Sequence, residues 1–234
     1  MKEEELDQIL NRSAGEPPAA NPEVLQRIAD SVKASLRPVR ALPSPSLLTG
    51  AVLAVCAAVS VLGAARAGFF GFAKMDSLER WLIFCLLAIL AAAAADSFVR
   101  SMIPASRRYI TAAALMGWSC LAMLGVFALL FRDYATHNFF SVGIACLLTG
   151  LLHAVPAGLL SWLVLRRGFA VSAVNAGLAA GLLGGLAGVG MLELHCPNFE
   201  TAHLLVWHTA VIPLSGALGA CAGWLLHRWK VRER

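Results

Sequence analysis

Charged residues are scarce in this chain. Only 14% of its 234 residues are Asp, Glu, Lys or Arg, whereas 59% are hydrophobic. A soluble domain carries about 25% charged residues and about 45–50% apolar ones, so the composition argues against an ordinary soluble domain and for a membrane protein. The net charge of +5 comes from positive residues clustered at the ends of apolar segments, which is typical of membrane orientation signals. We therefore expect contact with the lipid bilayer and no direct contact with nucleic acid.

Familiar enzyme motifs are missing as well. The sequence has no nucleophile elbow, no phosphate-binding loop, no His-Glu-x-x-His and no Cys-x-x-Cys. No apolar segment follows a short basic stretch and ends at a small-residue cleavage site, so we expect no removable signal peptide. These absences predict a membrane protein that is not an enzyme.

Six apolar segments are long enough to cross a bilayer, which takes roughly 20 residues. They lie near residues 46–67, 81–103, 110–131, 140–165, 171–193 and 204–226. Each must be helical, because a bilayer offers no water to satisfy the backbone. The predicted fold is an all-α membrane protein with a six-helix domain over 46–226, an amino-terminal helical segment over 1–45 and a basic tail over 227–234. Glycines four residues apart, at Gly177, Gly181 and Gly185, predict close helix packing in the fifth span.

The positive residues predict the orientation of these spans. Of the 19 Lys and Arg residues, 15 fall on the side that holds both termini and four fall on the other side. The side richer in positive charge faces the cytoplasm. Both termini are thus expected in the cytoplasm, and Cys146 and Cys196 are expected at the outer face.

The amino-terminal segment contains two short amphipathic patterns. Asn21-Pro22-Glu23 is typical of a helix start, with a capping side chain, a proline and an acid in the first turn. The apolar residues at helical spacing are Leu6, Ile9, Leu10, Leu25, Ile28, Val32 and Leu36. They fit either a tail lying on the membrane or a segment that docks on a cytoplasmic partner. The first seven residues hold four acids and one Lys, which favours a basic partner over an anionic lipid surface.

Two cysteines are predicted near the same membrane face. Cys146 precedes Arg166 by 20 residues, which is about 30 Å along a helix. Cys196 follows the fifth span and precedes Pro197. A short loop joins the fourth and fifth spans, so the Cα atoms can approach within the roughly 7 Å that a disulfide needs. Spacing alone leaves a working pair and two separate packing cysteines equally open.

Histidines on the same face extend the chemistry that these thiols could perform. The candidate ligands for a soft or borderline metal ion such as zinc or cadmium are Cys146, Cys196, His195, His203 and His208. Their spacing matches no compact zinc motif, so we expect at most transient metal binding and no permanent cofactor. Asp96 is the clearest acid within a span. It could serve a proton-coupled transporter, or it could pair with Arg100 one turn later.

Several motifs in the second half of the chain resemble the NrsF-type anti-sigma factors. They are Cys146-Leu-Leu-Thr-Gly150, Ala154-Val-Pro156, Trp162, Leu165-Arg-Arg-Gly168, the run from Ala176 to Gly190, Leu194-His-Cys-Pro197, His203 and Trp207-His208. The resemblance implies a six-span inner-membrane regulator that holds an extracytoplasmic-function sigma factor inactive through a cytoplasmic amino-terminal segment. It also implies that two outer cysteines, here Cys146 and Cys196, are needed for the response to stress, which in some members is heavy-metal stress.

The residues and the resemblance together predict a membrane-bound anti-sigma factor. It would release its sigma factor when an outer cysteine pair meets thiol-reactive, metal or oxidative stress. The alternatives are a small proton- or metal-coupled transporter and a membrane scaffold without a sensor.

Overall fold

The computed structural model describes residues 21–35, 43–103, 106, 110–165, 170 and 172–232. Throughout these residues the regular structure is helical, with no strand. The chain divides into two compact units, residues 1–41 and 42–234. The predictions for Leu6, Ile9, Leu10 and Leu36 fall outside the described residues.

The first unit contains helix α1 (Pro22–Ser35). It begins where the sequence predicts, because the side chain of Asn21 accepts a hydrogen bond of 3.0 Å from the backbone N–H of Glu23. Leu25, Ile28 and Val32 lie at helical spacing, and about half of each side chain is exposed. These three residues form an apolar stripe along α1.

Within its described residues, the second unit contains six long helices that are apolar enough to cross a membrane. They are α2 (Pro45–Ala67), α4 (Ser77–Ser101), α5 (Ala112–Leu130), α6 (Phe139–Val164), α7 (Ala173–His195) and a sixth span, Thr201–Trp229. The sixth span comprises α8 (Thr201–His203), a π-helical turn (Leu204–His208) and the start of α9 (Thr209–Arg232). A short helix, α3 (Phe70–Lys74), joins the first two spans. The predicted all-α fold with six spans is confirmed, and it is compatible with a multi-pass membrane protein.

Polar side chains fix where several spans begin. The hydroxyl of Ser44 caps α2, and Thr111 and Ser172 cap α5 and α7 in the same way. Asp76 and Glu79 form a capping box at the start of α4, each accepting a backbone hydrogen bond of 2.8 Å. This box explains why α4 begins four residues before the predicted apolar segment, since hydropathy alone does not recognise a polar first turn.

Helix α7 is the centre of the bundle. Over its most apolar stretch 78% of its residues are buried, against 22–39% in the other five spans. A Cβ atom on Gly177 would collide with the backbone oxygen of Gly219 in α9, as the predicted close packing requires. A Cβ on Gly184 would likewise collide with the backbone oxygen of Ala154 in α6. Glycines of α7 therefore allow its backbone to pack closely against the backbones of both α6 and α9.

The outer surface of the bundle is apolar. Trp81, Leu129 and Leu152 are among its exposed large side chains, as expected for a surface that faces lipid. The one acid that the sequence singled out within a span, Asp96, accepts a hydrogen bond of 2.7 Å from Arg100 Nε one turn later. Asp96 therefore forms a local ion pair with Arg100, which is one of the two roles that the sequence predicted for it.

Three connections meet at one end of the bundle, which we call the cysteine end because Cys146 and Cys196 lie there. Lys74 Nζ donates a 3.0 Å hydrogen bond to the carbonyl oxygen of Pro197. The backbone N–H of Thr201 donates a 2.6 Å hydrogen bond to the carbonyl oxygen of Asp133. These contacts tie the first, third and fifth connections into one layer over the ends of the spans.

Candidate functional site

Two cysteines that are 50 residues apart in sequence lie in contact at the cysteine end. The Sγ atoms of Cys146 and Cys196 are 3.4 Å apart, and both thiols are free. Cys146 is half-buried on α6, whereas Cys196 is 3% exposed at the carboxyl end of α7. The backbone of Cys196 is extended, and Pro197 follows it, so α7 ends at the point where the thiol turns toward α6.

His203 and His208 bring their rings to the same place. Both side chains are fully buried, and His203 Nε2 lies 3.7 Å from Cys196 Sγ. The two imidazole rings are 5.1 Å apart, centroid to centroid. Within the described residues, the two histidines and the two cysteines form a group of side chains that could hold a metal ion.

The π-helical turn explains how the two histidines meet. In an ordinary α-helix, residues five apart point about 140° away from each other, since each residue advances the helix by about 100°. Here the backbone N–H of Thr209 donates to the carbonyl oxygen of Leu204, five residues earlier. A π-helical turn of this kind aligns residues five apart, and such turns are frequent at functional sites. His203 and His208 consequently share one face.

A buried carboxylate orients His208. Glu193 Oε1 lies 2.6 Å from His208 Nδ1, and both side chains are fully buried. Because Nδ1 is held by the carboxylate, Nε2 is the ring atom that remains for another ligand. Within the described part of the chain, His208 Nε2 makes no hydrogen bond. A carboxylate–histidine pair of this type is the usual outer support of a metal-binding histidine.

The environment of Cys196 sets its acidity. The pKa of the Cys196 thiol is raised, first by its hydrogen bond to Cys146 and then by burial, while His203 and His208 oppose this shift. The thiol form of Cys196 is therefore favoured at neutral pH. Reaction of Cys196 as a nucleophile or as a metal ligand therefore depends on loss of that proton.

The complete cluster consists of four residues, which we call the thiol–histidine cluster. One ligand atom from each of Cys146, Cys196, His203 and His208 lies within 4.8 Å of the others. These are four of the five residues that the sequence offered as metal ligands. His195 is not among them, because its Nδ1 lies 3.0 Å from the carbonyl oxygen of Gly68 and its ring packs against Phe70.

One residue of the site was missed by sequence reasoning. Glu193 was not given a role, although an acid inside an apolar span is costly and often functional. The position of Glu193 within the fifth span, three residues before Cys196, is such a signal. The sequence does not predict the partner of Glu193, because His208 lies on the sixth span and meets Glu193 only in the folded structure.

A short helix and several aromatic rings pack near the cluster at this end of the bundle. Gly71 of α3 packs on the last turn of α7, where an added Cβ would lie 2.6 Å from the carbonyl oxygen of Glu193 and 2.7 Å from that of Cys196. The rings of Phe131 and Phe199 stack with centroids 5.1 Å apart, and Phe127 meets His208 edge-on. Of the four cluster residues, three are buried and Cys146 is partly exposed.

Comparison with known proteins gives one match. No curated protein and no solved structure matches the chain. The model of the NrsF family, described as negative regulator of sigma F, matches residues 29–229, which is most of the chain. The chain therefore belongs to the NrsF family, the negative regulators of sigma F.

Proposed function

We propose that this negative regulator is a sensor in the bacterial inner membrane that holds an extracytoplasmic-function sigma factor inactive. It releases the sigma factor when Cys146 and Cys196, at the outer face, are oxidised or bind a thiol-reactive metal ion. The observation that carries the sensing role is the 3.4 Å contact between the two Sγ atoms. The outer position of this contact rests on the excess of Lys and Arg on the opposite side.

The sigma factor binds the amino-terminal segment in this proposal. The apolar stripe of Leu25, Ile28 and Val32 supplies exposed hydrophobic surface on a helix, which suits docking into an apolar groove. Leu6, Ile9, Leu10 and Leu36, which lie outside the described residues, are further proposed contacts of the sigma factor. Because the segment would lie on the cytoplasmic side, it can reach a sigma factor there.

Oxidation of the pair changes the constraints on the bundle. With hydrogen peroxide as oxidant, the two thiols give up two hydrogen atoms, an S–S bond forms, the O–O bond breaks and two waters leave. The disulfide then joins α6 to the end of α7 with a bond of about 2.05 Å in place of a 3.4 Å contact. Since α7 packs directly on α6 and α9 through glycines, a shift of its end is transmitted along the spans.

The serine variants test this proposal. Cys146→Ser and Cys196→Ser should each abolish induction of a target promoter by cadmium or peroxide, and the double variant should do no more than either single one, because the residues act as a unit. Cys56→Ser and Cys120→Ser, which change thiols elsewhere in the spans, should respond normally. Full induction in both outer variants, at normal protein levels, would contradict the sensing role.

A further inference from the structure

We infer that the thiol–histidine cluster binds one divalent cation of the zinc class, with Cys146, Cys196, His203 and His208 as its four ligands and Glu193 as the group that orients His208. This inference names a ligand for the site of the proposed function, on which its regulatory meaning rests. The binding itself is a property of the purified protein and is tested without a sigma factor.

The spacing of the ligand atoms agrees with tetrahedral coordination. Zinc lies about 2.3 Å from sulfur and about 2.0–2.1 Å from imidazole nitrogen, so ligand atoms around it are about 3.3–3.8 Å apart. The distance from Cys146 Sγ to Cys196 Sγ is 3.4 Å, and that from Cys196 Sγ to His203 Nε2 is 3.7 Å. All four atoms lie within 4.8 Å of one another. Adjustments of about an ångström or less would bring them to metal-binding distances.

The hydrogen bonding of His208 also points to a ligand. A fully buried ring nitrogen normally has a partner, yet His208 Nε2 has none among the described residues. Glu193 occupies the other ring nitrogen at 2.6 Å. The imidazole is thus held in the orientation that a metal ligand needs, with its remaining nitrogen directed at the group that contains both thiols.

The charges of the cluster suit a divalent cation. Binding of Zn²⁺ displaces the protons of the two thiols, and the two thiolates then neutralise the ion in a buried site. Two thiolates and two imidazoles in a tetrahedral set favour zinc or cadmium over the harder ions magnesium and calcium. Because the protein fills all four positions, no position is left for a reactive water, as in structural and not catalytic zinc sites.

Metal binding and disulfide formation exclude each other, because both use the same two sulfur atoms. An occupied site would therefore protect Cys146 and Cys196 from oxidants and from alkylating reagents. A metal ion that competes for the thiolates and an oxidant would both react with the sulfur atoms of Cys146 and Cys196. Metal stress and oxidative stress would therefore act at the same site.

The test uses the full chain, purified and reduced in detergent, with Co²⁺ as a spectroscopic probe and Zn²⁺ as competitor. Wild-type protein should bind one Co²⁺ with a thiolate-to-metal charge-transfer band, and Zn²⁺ should displace it. His208→Ala and Cys146→Ser should weaken Zn²⁺ binding about 100-fold or more, and Glu193→Gln about 10–100-fold. His195→Ala, a neighbouring histidine outside the cluster, should bind as the wild type does.

Cys146→Ser replaces a single atom, so it keeps the test decisive if His208→Ala does not fold. No charge-transfer band in the wild type, or equal Zn²⁺ affinity in the wild type and Cys146→Ser, would overturn the inference. If zinc does not bind but the serine variants still lose induction in cells, the metal site is wrong and the sensing role stands. If zinc binds as expected but those variants induce normally, the sensing role is wrong and the metal site stands.

Discussion

Glu193 Oε1 and His208 Nδ1 are 2.6 Å apart, and neither side chain reaches solvent. The pair links the last turn of α7 to the π-helical turn of the sixth span. Its position beside Cys146 and Cys196 makes it the polar support of the thiol–histidine cluster.

Removing this carboxylate should destabilise the protein. Glu193→Ala leaves a buried ring N–H without a partner, which costs about 1–3 kcal/mol. Glu193→Gln keeps an acceptor oxygen and should cost less. Thermal unfolding of the full chain in detergent measures both variants, and an alanine variant as stable as the wild type would show that the hydrogen bond contributes nothing.

The orientation of the spans can be tested with reporter fusions. A reporter that is active only outside the cytoplasm should be active when fused after Pro197 and silent when fused after Arg234, because the end richer in Lys and Arg stays inside. The reverse pattern would place the thiol–histidine cluster on the cytoplasmic side and would contradict the proposed sensing of external stress.

The apolar stripe of α1 should be needed for sigma-factor binding. Ile28 is 54% exposed, and burying such a side chain against a partner is worth about 1.5–3 kcal/mol. Ile28→Asp in the full chain should therefore weaken co-purification of the sigma factor about tenfold or more. Gln26→Asp adds the same charge about 160° away around the helix and should bind normally. Equal loss in both variants would indicate a general effect of charge and not a docking surface.

One glycine of α7 and one of α5 give a pair of packing variants with opposite expected effects. Gly184→Ala places a Cβ against the backbone oxygen of Ala154, and overpacking of this kind costs about 1–3 kcal/mol. Gly125→Ala meets nothing within 4 Å, so it should be neutral or slightly stabilising because alanine favours helix. The melting temperatures of the two variants in detergent should move apart. Equal melting temperatures would mean that α7 can shift away from α6 at no cost.

The sequence predicted the features that depend on local patterns. Runs of apolar residues revealed six spans, Asn21 marked the start of α1, and counting along a helix placed Cys146 at the same end of the spans as Cys196. It did not predict features that depend on tertiary packing. The π-helical turn changes which residues share a face, and so it decides that His203 and His208 meet. His195 and Cys196 are adjacent, yet the end of α7 directs one to Gly68 and the other to Cys146.

The positions of the four cluster residues along the chain have a consequence for biosynthesis. Cys146 lies on α6, Cys196 ends α7, and His203 and His208 belong to the last span. A chain still emerging from the ribosome cannot assemble the cluster until the sixth span has been synthesised. A truncated or half-inserted chain would carry the amino-terminal segment without the cluster. The thiol–histidine cluster is thus completed after the segment proposed to bind the sigma factor has already been made.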